Sequence, residues 1–303
     1  VNARFLTVGE SLTDIVVNAD GVHSEYPGGS PMNVAVALGR LGHESHLLTR
    51  IGPDDRGREI KDHVEASHVQ LTPGSVDETP TSTARATLKA DGGADYVFDL
   101  VWDPDSRGLP EQVDAVHTSS IAAVLDPGAA TVADVLARYA PSATISYDPN
   151  ARPDLMGDPT RTRALVEAII ARADVVKSSD EDVAWLYGTD DLEDVVASWR
   201  ELGPAFTVMT RGGKGAVGFA ASGRVDIDPV RVDVADTVGA GDTFSAGILH
   251  ALGERDLLGS THAEQLRAID TDDLSAVLGF AAGLAAITVS RPGANPPWSH
   301  ELT

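Results

Sequence analysis

The chain contains no cysteine, and only four of its 23 basic residues are lysines: Lys61, Lys89, Lys177 and Lys214. The first absence excludes disulfides and thiolate chemistry without identifying a compartment. The second makes each lysine worth inspecting. Positive charge is scarce altogether, with 46 Asp and Glu giving a net charge of −23. Nucleic acids and anionic membranes need a basic surface, so neither is expected as a partner. The acids are spread along the chain and read as a solvated shell. No apolar stretch is expected to reach the length of a membrane span, and Val1-Asn2-Ala3-Arg4 runs into an apolar strand without a signal peptide. There is no Walker A sequence, no HExxH pair among the nine histidines, and no repeat or linker that splits the core. These absences leave a cytoplasmic enzyme as the expectation, and 303 residues with 42% hydrophobic content can bury one large α/β core.

Apolar strand-like runs alternate with helical patterns, as a mostly parallel sheet requires. Phe5-Val8, Val113-His117, Ala143-Tyr147, Asp174-Val176 and Ala205-Met209 are the expected core strands. Polar loops follow them: Gly9-Glu10, Thr118-Ser119-Ser120, Asp148 to Arg152, Lys177 to Asp180, and Thr210 to Gly213. Ligands of open α/β sheets bind outside the C-terminal strand ends, so these loops should ring one cleft. Two segments, within 11–26 and 81–102, break the alternation and read as a small accessory sheet, the second with a turn at Asp91-Gly92-Gly93. Tyr96, Phe98, Leu100 and Trp102 share one face at period two, either packed on the core or closing over substrate or a second copy.

The segment Asp236-Thr237-Val238-Gly239-Ala240-Gly241-Asp242-Thr243-Phe244-Ser245-Ala246-Gly247 opens into an apolar helix. Gly239 and Gly241 permit backbone angles that let consecutive N–H groups converge on one anion, where the helix dipole is already positive. Asp242 stands beside that anion. A carboxylate would repel a phosphate there unless it accepts a proton from the nucleophile attacking it. The same residues also fit an ordinary helix start with an acid complementing the dipole. A second segment, Pro27-Gly28-Gly29-Ser30-Pro31-Met32-Asn33 to Gly42, delimits another helix: Ser30 as N-cap, Pro31 at the first turn, Gly42 as left-handed stop. Val34, Ala37, Leu38 and Leu41 form its buried stripe, and Asn33 is left beside the Gly pair, where its amide can meet a polyol.

Together the two segments resemble the N- and C-terminal signatures of the ribokinase/phosphofructokinase-B family of sugar kinases. The resemblance extends over essentially the whole chain. It implies a ribokinase-like three-layer α/β/α core with a mostly parallel sheet and a small β lid, in a single kinase domain over 1–303. It also implies ATP and Mg²⁺, Asp242 as base, and Gly239-Ala240-Gly241 as a backbone anion hole. On the sugar side it carries over Asp14, Gly29, Ser30 and Asn33, with Asn150 and Arg152 in an Asp-Pro-Asn-x-Arg segment; His117 and Ser119 are weaker candidates. Lys177 matches a phosphate-proximal lysine. Ser179 and Asp182 stand where the family's Asn-x-x-Glu form has longer groups, so Asp182 is expected to reach Mg²⁺ through water. Thr210, Gly212 and Gly215 match the nucleotide-binding turn, and Asp236 with the Val238 carbonyl resembles part of a monovalent-cation site, which adds K⁺. A homodimer through the lid is the partner this architecture allows.

Gly28 to Ala35 and Asp148 to Pro153 look most like the fructokinase branch. The resemblance leaves open other acceptors, namely 2-keto-3-deoxygluconate, ribose or a nucleoside, and a sugar- or nucleotide-binding protein without turnover. Gly213-x-Gly215-x-x-Gly218 matches a dinucleotide fingerprint, but Ala216 to Ile227 reads as strand and turn where that fingerprint needs a helix.

Overall fold

The structure is a computed structural model that describes residues 2–18, 21–88 and 94–302. Its strands are β1 (Arg4–Val8), β2 (Leu12–Val17), β3 (His23–Gly28), β4 (Glu44–Leu48), β5 (Val69–Leu71), β6 (Thr83–Leu88), β7 (Ala94–Asp99), β8 (Ala115–Ser119), β9 (Thr144–Asp148), β10 (Val175–Ser179), β11 (Phe206–Thr210), β12 (Ala216–Ala220) and β13 (Gly223–Ile227). The α-helices are α1 (Ser30–Arg40), α2 (Asp55–Ala66), α3 (Gly128–Tyr139), α4 (Pro153–Met156), α5 (Pro159–Ile170), α6 (Asp180–Tyr187), α7 (Leu192–Ser198), α8 (Ala240–Gly253), α9 (Ala263–Arg267) and α10 (Thr271–Val289).

Nine strands form one sheet in the order β13-β12-β11-β10-β9-β8-β1-β4-β5. It is parallel except where β12 and β13 fold back. Alternate strand residues serve opposite faces. Phe5, Ala115, Val175, Phe206 and Val208 pack with α1, α8 and α10, while Leu6, Val8, Val116, Ile145, Tyr147 and Met209 pack under α3, α5, α6 and α7. Burial on both faces explains why these strands read as continuous apolar runs. Because Ala216 begins a strand, the Gly213-x-Gly215-x-x-Gly218 pattern has no helix N-terminus to offer a pyrophosphate.

Helix α1 is buried from Ser30 through Gly39. Its expected stripe is therefore only half of its packing: Val34, Ala37 and Leu38 face α8, while Met32, Ala35 and Val36 pack on Leu47, Ile60 and Val64. Helix α10 corrects another expectation. At 19 residues and mean hydropathy 1.5 it has the length and composition of a membrane span. Within this fold, however, Leu274, Val277, Leu278 and Ala281 are buried in the cluster shared with α8 and the sheet.

The strand order reverses between β1 and β8, which opens a crevice at their C-terminal ends. Gly9-Glu10 and Ser119-Ser120 lie there. The two irregular segments form a separate four-stranded sheet, β3-β2-β6-β7, and the expected Asp91-Gly92-Gly93 turn lies outside the described residues. Tyr96 and Phe98 stack with centroids 6.0 Å apart. Trp102 leaves their face, contrary to the period-two reading. Strand β7 ends at Asp99, and the indole N–H is buried on the Ala122 carbonyl at 3.0 Å, because a buried donor must find an acceptor.

The far ends of α1 and α8 meet through His43 Nε2 and His250 Nδ1, 2.9 Å apart, with the His250 ring stacked on Phe280 at 4.8 Å. Burial, reinforced by His250, lowers the proton affinity of His43 to about 4, and burial with Lys177 nearby lowers that of His117 to about 3. In the unfolded chain both take a proton near pH 6.5. Below that value the unfolded state binds more protons, so stability present above pH 6.5 is lost as pH falls toward 4. We predict a loss of roughly 3 kcal/mol from His43 alone over that window, read from urea midpoints at several pH values, and a shallower slope in His43→Leu. A midpoint independent of pH across that range would refute the assignment.

Candidate active site

At the start of α8, Gly239 takes φ 76°, and a Cβ there would lie 2.7 Å from the Ala294 Cβ, so the turn admits only glycine. Its carbonyl accepts from Thr243 N at 2.8 Å, closing the first helical turn. Ala240 N donates back to the Thr237 carbonyl at 3.3 Å, and the other amides of that turn have no intrahelical acceptor and point out of the helix end. A Cβ on Gly241 would lie 2.9 Å from Lys177 Nζ. The lysine ammonium and the positive helix end therefore share one spot, which is the chemistry of a phosphate site.

Asp242 lies in the same turn and is buried. Its Oδ1 accepts from Ser30 Oγ at 2.7 Å and its Oδ2 from Asn33 Nδ2 at 2.8 Å. Ser30 Oγ also lies 2.8 Å from Ser119 Oγ. The expected N-cap role of Ser30 is thus corrected: Gly29 is the N-cap, with no side-chain cap bond, and Ser30 is the first helical residue. An ionised acceptor holds a hydroxyl more strongly than a neutral amide does. Asn33 gives its amide N–H to the acid and keeps its Oδ1 for another donor.

Beneath this turn, Lys177 Nζ donates to Asp148 Oδ2 at 2.6 Å, both side chains being almost wholly buried. Ser245 Oγ on α8 stands 3.5 Å from the same oxygen. Burial pushes Asp148 up to about 6 against the pull of Lys177. On the other wall, Asp14 sits on β2 directly over Gly28, where a Cβ would come within 2.0 Å of Asp14 Oδ2. Burial pushes Asp14 up to about 6, opposed by Arg152.

A turn of amides and a lysine facing a buried, positioned carboxylate is a phosphoryl-transfer arrangement, and the profile of the pfkB family of carbohydrate kinases matches residues 4–301. The chain belongs to this family. It is 34% identical over 264 residues to a fructokinase of Rhizobium leguminosarum bv. trifolii, covering 84% of this chain and 81% of that relative. A Xylella fastidiosa fructokinase with bound ATP shares the fold, with TM-score 0.82 over 97% of this chain and 94% of that one at 23% identity. A Vibrio cholerae O395 fructokinase double mutant solved with fructose, ADP and potassium gives TM-score 0.78 over 96% and 94% at 24% identity. This protein is a sugar kinase, a phosphotransferase with the ribokinase-like α/β fold.

The other candidates of this pfkB kinase are held by contacts of their own loops and strand ends. Asp182 is held by backbone amides, its Oδ1 accepting from Ala151 N at 2.8 Å and its Oδ2 from Ser179 N at 3.1 Å. Ser179 returns the bond by capping Asp182 N at 3.0 Å, so this pair is a capping box that also pins the loop after β9. Arg152 is exposed and folded back on Asn150 Oδ1 at 2.9 Å and the Ala151 carbonyl at 2.9 Å. Asn150, at φ 35°, shapes that loop. Thr210 lies in register with Ser179, which places these nucleotide-side candidates on adjacent strand ends. Gly212 and Gly215 have φ 51° and 87° in the β11–β12 turn, and Gly215 lies against the Ile227 carbonyl. His117 is a core group, its Nδ1 3.0 Å from Ser146 Oγ.

Asp148 and Glu10 were not singled out from the sequence. The signal for Asp148 was parity, since Thr144, Ser146 and Asp148 fall on the face that carries Lys177 on the next strand. We predict that Gly241→Val, which drives a branched side chain into Lys177 Nζ and the amide turn, lowers turnover by about 10²-fold or more with a smaller change in sugar affinity. Circular dichroism would show the helix retained. Unchanged turnover in the folded variant would remove the anion-hole role.

Proposed function

We propose that this kinase transfers the γ-phosphoryl group of ATP to a primary hydroxyl of fructose. The observation that carries the reading is Asp242, buried and fixed by Ser30 and Asn33 in the helix turn against which Lys177 Nζ lies. Each Asp242 oxygen accepts one hydrogen bond and keeps lone-pair capacity for the acceptor hydroxyl. In a loose transition state that hydroxyl becomes acidic only as its oxygen bonds phosphorus, so a carboxylate suffices as a late proton acceptor. The Gly239 and Gly241 amides and Lys177 face the charge that gathers on the transferred group, while Ala240 N is spent on the Thr237 carbonyl. Asp148 holds Lys177 in that position.

Electrostatics favour a neutral sugar. Asp14 and Asp242 flank the acceptor wall with Glu10, and Arg152 is the cation whose field reaches Glu10 and Asp14. A sugar acid such as 2-keto-3-deoxygluconate would bring a further carboxylate among these groups. The likeness to fructokinases supports fructose among neutral sugars.

Mg²⁺ enters with the ATP polyphosphate, whose charge it neutralises. Among the described residues no group of three His, Asp or Glu could hold a metal. K⁺ fits the 236–238 turn: Asp236 accepts from Val238 N at 3.0 Å and Gly293 N at 2.9 Å. Those amides, Val238 first, hold it below the usual carboxylate range, and its remaining lone pairs suit a monovalent cation. The chain works as one kinase domain in the cytoplasm, where ATP is drawn, and the four-stranded sheet that carries Asp14 is its lid. The Asp14 face of that sheet also carries Tyr26 and Tyr96, 57% and 56% exposed. We take this aromatic face as the homodimer surface.

Two outcomes test the reading. Asp242→Asn should lose about 10²-fold or more in turnover with sugar binding retained, because the amide keeps the shape of the carboxylate but cannot accept the proton. Near-normal single-turnover rates would eliminate the base. In a coupled ADP-release panel, fructose should lead ribose and 2-keto-3-deoxygluconate in kcat/KM; a different sugar leading by about tenfold, ~1.4 kcal/mol at the transition state, would overturn the acceptor and leave the kinase. For the lid, sedimentation equilibrium should show a dimer that Tyr96→Arg weakens, and a monomeric wild type would reject that surface.

A further inference from the structure

Glu10 follows β1 at the point where the strand order reverses. It is 6% exposed, its carboxyl meets the Ser120 side chain, and its Oε2 has no hydrogen-bond partner among the described residues. Buried polar atoms are nearly always paired, so an acid left half satisfied beside a binding crevice points to a ligand group. Its surroundings indicate which group. The charges of Arg152 and Asp242 both reach it, and Arg152 also reaches Asp14. Its carbonyl would lie 2.3 Å from a Cβ on Gly29, which fixes the Glu10 backbone against the start of α1. Ser120, its partner, is held at φ 60°, a conformation that non-glycine residues rarely adopt. Glu10 thus feels the Asp242 charge, shares the field of Arg152 with Asp14, and lies along the wall made by Gly29.

We propose that Glu10 is a specificity-determining residue of the acceptor pocket, its carboxyl hydrogen-bonding a sugar hydroxyl on the Gly29 side of Asp242. The inference rests on the sugar-kinase reading of this cleft. Burial raises the proton affinity of Glu10 to about 8, Ser120 and Arg152 opposing and Asp242 reinforcing. At neutral pH the carboxyl is therefore protonated, able to donate to one hydroxyl oxygen while accepting from Ser120. It adds a donor without adding another negative charge beside Asp14 and Asp242.

The test is steady-state kinetics with both substrates varied over the sugar panel, from about pH 6 to 9, for wild type, Glu10→Ala and Glu10→Gln. Glu10→Ala should raise the KM of the preferred sugar about tenfold or more, with less than about a twofold change for ATP. Glu10→Gln keeps a donor at the same place and should raise it far less. In the wild type the sugar KM should be level between pH 7, above the range where Asp14 takes its proton, and pH 8, and climb above pH 8 as the Glu10 proton leaves, a limb that Glu10→Gln lacks. A limb that persists in Glu10→Gln, or an equal KM rise for sugar and ATP in Glu10→Ala, overturns the inference and leaves the kinase reading standing. Should Glu10→Ala fail to fold, the pH comparison between wild type and Glu10→Gln decides. A wild type that turns over no sugar in the panel overturns both.

Discussion

Two hydrogen bonds to one carboxylate organise this molecule. Ser30 and Asn33 reach Asp242 across 212 and 209 positions of sequence, tying the first turn of α1 to the first turn of α8. The two turns come from distant parts of the chain, and the proposed reaction needs both: α1 would bring the sugar wall, α8 the amides and the base. Packing makes the tie possible. Val34, Ala37 and Leu38 share a core cluster with Phe244, Ile248 and Leu249, and Gly247 lets α8 approach α10 so closely that a Cβ would lie 2.7 Å from the Ala281 Cα. The apolar faces set the distance between helices, and the carboxylate reads it out. A base held by two donors also enters the transition state already oriented, which is where positioning contributes most in phosphoryl transfer.

Around this tie the cleft manages its charge by burial. Glu10, Asp14 and Asp148 are each pushed above the ordinary carboxylate range, first of all by desolvation. Asp148 has Lys177 as a direct partner, whereas Glu10 and Asp14 feel Arg152 only through its field. Replacing a buried ion pair by apolar residues often costs nothing, while losing one partner leaves an uncompensated charge. The Lys177–Asp148 pair is therefore better explained by position than by stability: it holds an ammonium at the mouth of the amide turn, where an anion completes its coordination.

Both signature segments were legible in the sequence because their chemistry is local. The helix after Gly239, the acid in its first turn, the Gly28-Gly29 pair and the Gly42 stop each follow from a short run of residues. The core strands were legible for a similar reason, since parallel strands buried on both faces announce themselves as apolar runs. What could not be read was which polar side chains spend themselves on the protein. Ser30 looks like a cap by sequence, yet a charged acceptor from residue 242 takes its hydroxyl. Asp182 looks like a free acid by sequence, yet each of its oxygens accepts a backbone amide. Trp102 keeps the period of Tyr96 and Phe98 but turns inward because Ala122 offers its indole an acceptor. In each case the competitor is distant in sequence, and only the fold brings it near.

The same logic separates the two glycines of the amide turn, which look equivalent in sequence. Gly239 is required by backbone conformation, because its φ of 76° and the closeness of Ala294 shut out any side chain. Gly241 is different. It has helical geometry that any residue could adopt, and the atom within reach of a Cβ there is Lys177 Nζ. Folding alone would tolerate alanine at that position if the flexible lysine end shifted by a few tenths of an ångström. The space over Gly241 is thus kept by the ammonium, so under the proposed mechanism its demand for glycine comes from the reaction, whereas the demand at Gly239 comes from the chain.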